Sequence, residues 1–474
     1  MFSTNPASMK PGFLSRRVLV SHMLSLLRQF HLSDVTALVR RGWLGNRFWR
    51  RLALSGIMLF SGTVAHVSAQ TTDVVDLRAS VQSDAYALLD LIDDQFAYAD
   101  RFPNGQIPVR RELEGRVASL STRNDLIAFS QMAFHSLYDH HSITGAGLPD
   151  AYGLVPSFAD LWIERRPAGY EIVDVRRGSP ALKAGIRPGC YLTHVEGRPI
   201  EDAVRQFIGP GIELADYERM SYAARVLATG RRDRVRRLGL QCDDLNWTLE
   251  IPTLYQSRLK RDPGLVSLER VAFFDKTIGV IRVNDSLGQT QTIAAFDQAL
   301  QELDGVDGLV IDLRDTASGG NTLVARGILS RFVEKTEYYQ RHILPNEERD
   351  FGIVRSWVEE VTPRGTRFEQ PVAIVSGRWT ASMGEGLTIA FDALGVKTFG
   401  SKMAGLLGGI TDHRLPETGV TVKLTTEKLT HIDGTPRENF SPAVSFNYAD
   451  APDLTAKDGP MEAAMSYLVS SEAQ

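Results

Sequence analysis

Cysteine is nearly missing from this chain: the 474 residues hold two, Cys190 and Cys242. That is too few for a disulfide framework or a cysteine-ligated zinc site. It leaves either one disulfide or two buried thiols. A long apolar run is also missing. The stretch from Leu52 to Val67 has about 16 residues, against the roughly 20 that a bilayer-spanning helix needs, and Ser55, Gly56, Ser61, Gly62 and His66 interrupt it. A large excess of one charge is missing too. Lys+Arg is 53 and Asp+Glu is 57, for a net charge of −4, which excludes nucleic-acid binding by bulk positive charge. No Walker or Rossmann glycine pattern occurs, so no nucleotide and no cofactor are expected. His135, His140 and His141 lie close together, but without the carboxylate–histidine spacing of a tetrahedral zinc site, so no metal is expected. What remains is an ordinary globular composition, 43% hydrophobic and 23% charged, with a length that suits two to four domains.

The charge is unevenly spread. Residues 1–57 hold nine basic side chains and one acidic one, a local +8, so the rest of the chain carries −12 of the total −4. Arg47, Arg50 and Arg51 precede the Leu52–Val67 run, and Val67-Ser68-Ala69 follows with small residues suited to a signal-peptidase cut before Gln70. A basic flank, an apolar stretch and a small-residue site make a secretory signal. Residues 1–69 are therefore expected to be leader and signal peptide. The chain is expected to be exported, periplasmic or secreted, with no stable membrane span after cleavage. The leader's length points to a translation start downstream of Met1, near residues 39–47. No cysteine follows the apolar run, which excludes a lipoprotein.

Three regions follow. Residues 70–149 read as a helical cap: Val81–Ala99 and Leu126–Tyr138 space their apolar residues by three and four. Residues 150–256 change character, opening on the alternating strand Tyr170–Val175. Residues 265–474 alternate strands (Ile278–Val283, Gly308–Leu313, Pro371–Ser376) with helices (Thr290–Leu303, Gly384–Leu394). Repeated strand–helix units predict an α/β core with a mostly parallel sheet, and sites in such folds lie where strands end and helices begin.

Two strand-end segments there carry chemistry. In Asp312-Leu-Arg-Asp-Thr-Ala-Ser-Gly319-Gly320, paired glycines let the backbone approach a ligand and aim N–H groups at a developing oxyanion. In Gly377-Arg-Trp-Thr-Ala-Ser382-Met383-Gly-Glu385, a serine at a strand-to-helix turn has its hydroxyl beside free helix N-terminal N–H groups. By itself the same pattern also reads as a capping box.

The segment Arg177-Gly-Ser-Pro-Ala-Leu-Lys-Ala-Gly-Ile-Arg-Pro-Gly189, with Tyr191–Ile200 after it, resembles a bacterial PDZ domain. That resemblance implies a peptide-binding module with Gly153 and Leu154 in its carboxylate-holding loop. Taken with the two strand-end turns, the chain resembles the C-terminal processing peptidases and the tricorn-core serine peptidases. The fold implied is multidomain α/β: a helical N-terminal region, a PDZ-like β-rich domain and a crotonase- or protease-like α/β core. The resemblance makes Ser382 the nucleophile. It makes the N–H groups of Met383 and of Gly319 or Gly320 the oxyanion donors, and proteins or peptides the substrates. The segment where Ser–Lys relatives carry their base reads Gly400-Ser-Lys402-Met-Ala-Gly-Leu406-Leu-Gly408, with leucine in the lysine position. The tricorn-like branch instead implies His141 as base, from Asp139-His140-His141-Ser142, and Glu438 as its orienting acid, from Asp433-Gly-Thr-Pro-Arg-Glu438. Three alternatives stay open: Asp139 as the orienting acid, Lys402 as the base of a rearranged dyad, and a peptidase-like peptide-binding protein without catalysis.

Overall fold

The computed structural model describes residues 69–474 except 106, 108, 210–215, 258, 260–263, 449–457 and 471–474. The expected leader and signal peptide, residues 1–69, therefore lie outside the described residues apart from Ala69 itself. The chain divides into Met1–Thr72 and Asp73–Gln474, and only the second unit is treated below.

Helix α1 (Ala69–Gln95) buries Val81, Ala85, Leu88, Leu89 and Ile92, one face at helical spacing. It packs with α2 (Arg110–Val117) and α3 (Arg123–His135). Thr122 starts α3 with a reciprocal cap: its hydroxyl accepts from Asp125 N at 3.1 Å, and the Asp125 carboxylate accepts from Thr122 N at 2.9 Å. The chain then makes a short strand, β1 (Ile143–Thr144).

The middle region is an antiparallel sheet of β2 (Leu161–Arg166), β3 (Gly169–Val175), β4 (Tyr191–Val195), β5 (Arg198–Pro199), β6 (Arg236–Cys242) and β7 (Leu245–Ile251). Its order is β2-β3-β4-β6-β7, with β5 on β4. Helix α4 (Pro180–Lys183) is one turn, while α5 (Ile200–Ile208) and α6 (Tyr217–Thr229) cover the sheet. Cys190 and Cys242 are disulfide-bonded, which answers the choice left open by the composition. Arg236 Nη2 donates to both carboxylate oxygens of Asp160, at 2.6 and 2.7 Å, with both side chains essentially buried. Removing one partner strands a buried charge, at a cost of about 3–5 kcal/mol. Asp160→Ala is therefore expected to lower the unfolding free energy by about that amount in a urea titration. A midpoint matching the wild type would show the pair to be dispensable.

The core starts with β8 (Val266–Phe273) and β9 (Lys276–Val283), then α7 (Gln291–Glu302), β10 (Gly308–Asp312), α8 (Thr322–Leu329), β11 (Glu337–Ile343), α9 (Pro345–Phe351) and β12 (Ser356–Val361). It continues through β13 (Val372–Ser376), α10 (Met383–Ala393), β14 (Lys397–Gly400), β15 (Gly409–Arg414), β16 (Thr421–His431), β17 (Val444–Ser445) and α11 (Gly459–Val469). One sheet runs β17-β14-β13-β10-β9-β8 and is parallel except at the β8/β9 hairpin. Its central strand β10 is buried at all five residues, as expected for a strand covered on both faces. Phe296 of α7, Ile328 of α8 and Leu387 of α10 pack on one face, and Ala464 and Leu468 of α11 pack on the other.

The expected mostly parallel core is thus half of the answer. A second, antiparallel sheet runs β1-β16-β11-β12, with β15 on β16. It joins β1, which precedes the middle region, to β16, pairing Ile143 with Lys423.

Candidate active site

Two turns at the carboxyl ends of the neighbouring strands β10 and β13 are tied together. Thr316 N donates to Trp379 O at 3.2 Å, and the Thr380 hydroxyl donates to Leu313 O at 2.9 Å. The second turn delivers Ser382 as the residue before α10, with φ 51° and ψ −111°. Positive φ in a non-glycine residue is strained and has to be held by its surroundings. Here Ser382 N donates to the Glu385 carboxylate at 2.8 Å, and Ser382 O accepts from Gly386 N at 3.0 Å.

The first turn lies against the serine. A Cβ on Gly319 would stand 2.6 Å from Ser382 Cβ and 3.0 Å from Ser382 Oγ, and one on Gly320 would stand 2.3 Å from the Leu287 carbonyl. Asp285 holds this turn by accepting from Ser318 N at 2.7 Å and from the Ser318 hydroxyl at 2.8 Å. Gly319 N donates to Thr316 O at 3.0 Å and is occupied. Gly320 N and the N of Met383, the first residue of α10, are not used by the bonds of these turns.

The imidazole comes from the other end of the sequence. His141 follows α3 and is 7% exposed. Its Nε2 lies 2.9 Å from Ser382 Oγ, and its Nδ1 lies 2.7 Å from the Leu407 carbonyl. A carbonyl only accepts, so Nδ1 carries the proton. Nε2 is then the acceptor for the serine hydroxyl. The buried Asp139 carboxylate fixes the backbone here. It accepts from His141 N at 2.8 Å, Ser142 N at 3.0 Å, the Ser142 hydroxyl at 2.7 Å and the Thr425 hydroxyl of β16 at 2.7 Å. Asp139 thus holds the main chain of the base; the bond that orients the ring comes from Leu407.

Burial pushes the His141 imidazole down to about 4, helped by the nearby Arg437 guanidinium and opposed by Asp139 and the carbonyls of Leu407 and Gly408. Glu385 is fully buried and accepts from Ser382 N, from Gly405 N at 2.8 Å and from Leu406 N at 3.3 Å. It ties the turn of Ser382 to the loop that carries Leu407. Burial raises its carboxyl to about 7 against the lowering effects of Arg437 and the three N–H groups. His140 faces away from the serine. It stacks on Tyr222 at 4.3 Å and lies 3.2 Å from Arg225 Nε, both on α6.

Several expected residues stand apart from this geometry. Glu438 does not orient His141, because the acceptor at Nδ1 is the Leu407 carbonyl. The turn Arg437–Asn439 aims Arg437 at the 406–408 loop, while Glu438 Oε2 is buried with no hydrogen-bond partner. The negative charge of Glu438 adds to the burial that pushes the Tyr98 hydroxyl upward. Lys402 is exposed and borders a cavity with Asp174, Arg378 and Tyr448. Leu406 is buried and contributes backbone groups only to the bonds described.

Gly153 N donates to Gly230 O at 3.1 Å, and Leu154 O accepts from Phe158 N at 2.7 Å. The outer edge of β2, where an added peptide strand would pair, has Arg165 N bonded to Ser221 Oγ of α6 at 2.7 Å. The Gly153 N–H is thus spent within the fold. The residues that sequence reasoning missed are Leu407 and Arg437. A backbone acceptor leaves no trace in residue type, and Arg437 adjoins the glutamate that drew attention. Among the described residues no cluster of three or more His, Cys, Asp or Glu could hold a metal ion, and no helix is long and apolar enough to cross a membrane.

Comparison with known proteins places this arrangement. The sequence model of Peptidase family S41 matches residues 277–444. No curated protein sequence matches the chain. Among solved structures, the photosystem II D1 C-terminal processing protease aligns over 83% of this chain and 98% of its own, at 19% identity and a TM-score of 0.51. Mature CPAF aligns over 83% of this chain and 96% of its own, at 13% identity and a TM-score of 0.52. At such identities the likeness is one of fold. The stretch 277–444, which contains Gly319, Gly320 and Ser382, matches the model of Peptidase family S41, and the chain shares the fold of these two proteases.

Proposed function

We propose that the chain is an exported serine endopeptidase that cleaves proteins or peptides, with Ser382 as nucleophile and His141 as general base. The observation that carries this reading is the 2.9 Å contact between Ser382 Oγ and His141 Nε2, within the reach a proton-abstracting base requires. As Oγ bonds to the scissile carbonyl carbon, its proton passes to Nε2. The N–H groups of Met383 and Gly320 receive the oxyanion. The imidazolium then returns the proton to the leaving amine, and a water molecule repeats the cycle on the acyl-enzyme to free Ser382. In place of Glu438, the Leu407 carbonyl orients the imidazole.

The middle region is PDZ-like and assists substrate selection; its α6 touches His140, the residue before the base. Export fits the signal-like leader and the Cys190–Cys242 disulfide, a bond that persists in oxidising compartments. The test is labelling with a fluorophosphonate, together with hydrolysis of fluorescent casein. Wild type is expected to label and to cleave, and Ser382→Ala to do neither. Equal labelling of both would remove Ser382 from the mechanism.

A further inference from the structure

We propose that Arg437 is a positioning residue for catalysis: its guanidinium clasps the carbonyls on both sides of Leu407 and so aims the Leu407 carbonyl at His141 Nδ1. This rests on the reading of Ser382 and His141 as nucleophile and base.

Arg437 is 2% exposed. Its Nη2 donates to Leu406 O at 3.1 Å and to Gly408 O at 2.6 Å. The carbonyl between these two is the one that holds His141 Nδ1, at 2.7 Å. The 406–408 loop joins β14 to β15 and has no secondary structure of its own, so its carbonyl directions depend on what they bond. Glu385 holds the loop by its N–H groups at Gly405 and Leu406, and Arg437 holds it by its carbonyls. Among the described residues no carboxylate lies within ion-pair distance of Arg437. A guanidinium is chosen here over a neutral donor for two reasons. It cannot be deprotonated, and its Nη2 carries two N–H donors, one for each carbonyl.

The charge has a second effect, on the protonation of the base. Around the imidazole stand Asp139 on its own segment, Arg437 on the turn after β16, and the neutral carbonyls of Leu407 and Gly408; Glu385 of α10 is bonded to Ser382 N, and Tyr98 and Glu438 lie near Arg437 and Asp139. Arg437 is the cation of this set, and it disfavours the imidazolium. A base is active when neutral. A lowered pKa therefore preserves activity as pH falls, and removing the cation brings the loss of activity to a higher pH.

The experiment follows the fluorophosphonate labelling rate from pH 3.5 to 8 for wild type, Arg437→Met, Arg437→Lys and Ser382→Ala. Wild type is expected to lose reactivity well below pH 6.5, with its midpoint at about 4, where burial puts the His141 imidazole. Arg437→Met is expected to lose at least tenfold in maximal rate, with the half-saturating probe concentration unchanged, and to shift its acid midpoint upward by about a unit. Arg437→Lys keeps the charge but ends short of the Nη2 position. It is expected to keep the wild-type midpoint and lose part of the rate. A merely structural role would change the amount of folded protein and leave the midpoint where it was.

A folded Arg437→Met with wild-type rate and midpoint overturns the proposal. If that variant does not fold, Arg437→Lys decides: a full wild-type rate overturns the clasp, and a reduced rate at an unmoved midpoint supports it. Ser382→Ala keeps the two readings apart. Labelling of Ser382→Ala defeats the nucleophile assignment. Loss of its labelling beside indifferent Arg437 variants defeats only this inference.

Discussion

Ser382→Ala, His141→Ala and the double variant are expected to lose nearly the same factor in kcat/KM, on the order of 10⁴–10⁶. The serine hydroxyl is a weak nucleophile at its own pKa, and its one route to activation here is proton transfer to Nε2 at 2.9 Å. Once either end of that bond is gone, the other has nothing left to contribute. The residual rate is supplied by the Met383 and Gly320 N–H groups and by substrate binding, which all three variants retain. Steady-state hydrolysis of fluorescent casein by the three variants measures this. A double variant whose loss approached the product of the single losses would mean that the two side chains act independently, and the proton-transfer step would have to be abandoned.

Gly319→Ala is the second large effect. At φ +67° an alanine pays a backbone cost of about 1 kcal/mol. Its methyl group would also stand 2.6 Å from Ser382 Cβ, closer than any real contact. Neither side has room to yield, because Ser382 is held at positive φ by Glu385 and the glycine turn is held by Asp285. The nucleophile has to shift, and a displacement approaching 1 Å costs about 10²-fold in rate. Gly178→Ala is the matched control. Its φ of +70° imposes the same backbone cost, but its Cβ would meet nothing within 4 Å. Gly319→Ala is expected to lose at least as much stability as Gly178→Ala in a thermal melt, and only Gly319→Ala loses kcat by about 10²-fold or more. Wild-type turnover by Gly319→Ala would mean that the 319–320 turn does not touch the reacting group.

How far the chain could be read in advance depended on the range of the interactions involved. The buried strand Gly308–Asp312 and helix α10 announce themselves through local apolar pattern and turn residues, and both fall within a residue or two of the expected limits. The sheet built from β1, β11, β12, β15 and β16 does not. Thr421–His431 alternates polar and apolar residues only as far as Leu424, and nothing local says that its partner is Ile143. That pairing brings Thr425 to Asp139 and so puts the His141 segment in place.

The same distinction runs through the site. Local spacing marks the strand-to-helix turn of Ser382 and the paired glycines Gly319 and Gly320; His141 could be named from the primary structure only through the resemblance to the tricorn-core peptidases. The acceptor behind the histidine is a different matter. A carboxylate was expected from the neighbourhood of Glu438, but any peptide carbonyl serves as well if it is aimed correctly. Folding chose Leu407, and Arg437 in place of Glu438 as the side chain that reaches it. Residue type specifies which groups can donate, accept or attack. Main-chain direction decides which of them meet, and it is settled by contacts between segments hundreds of residues apart.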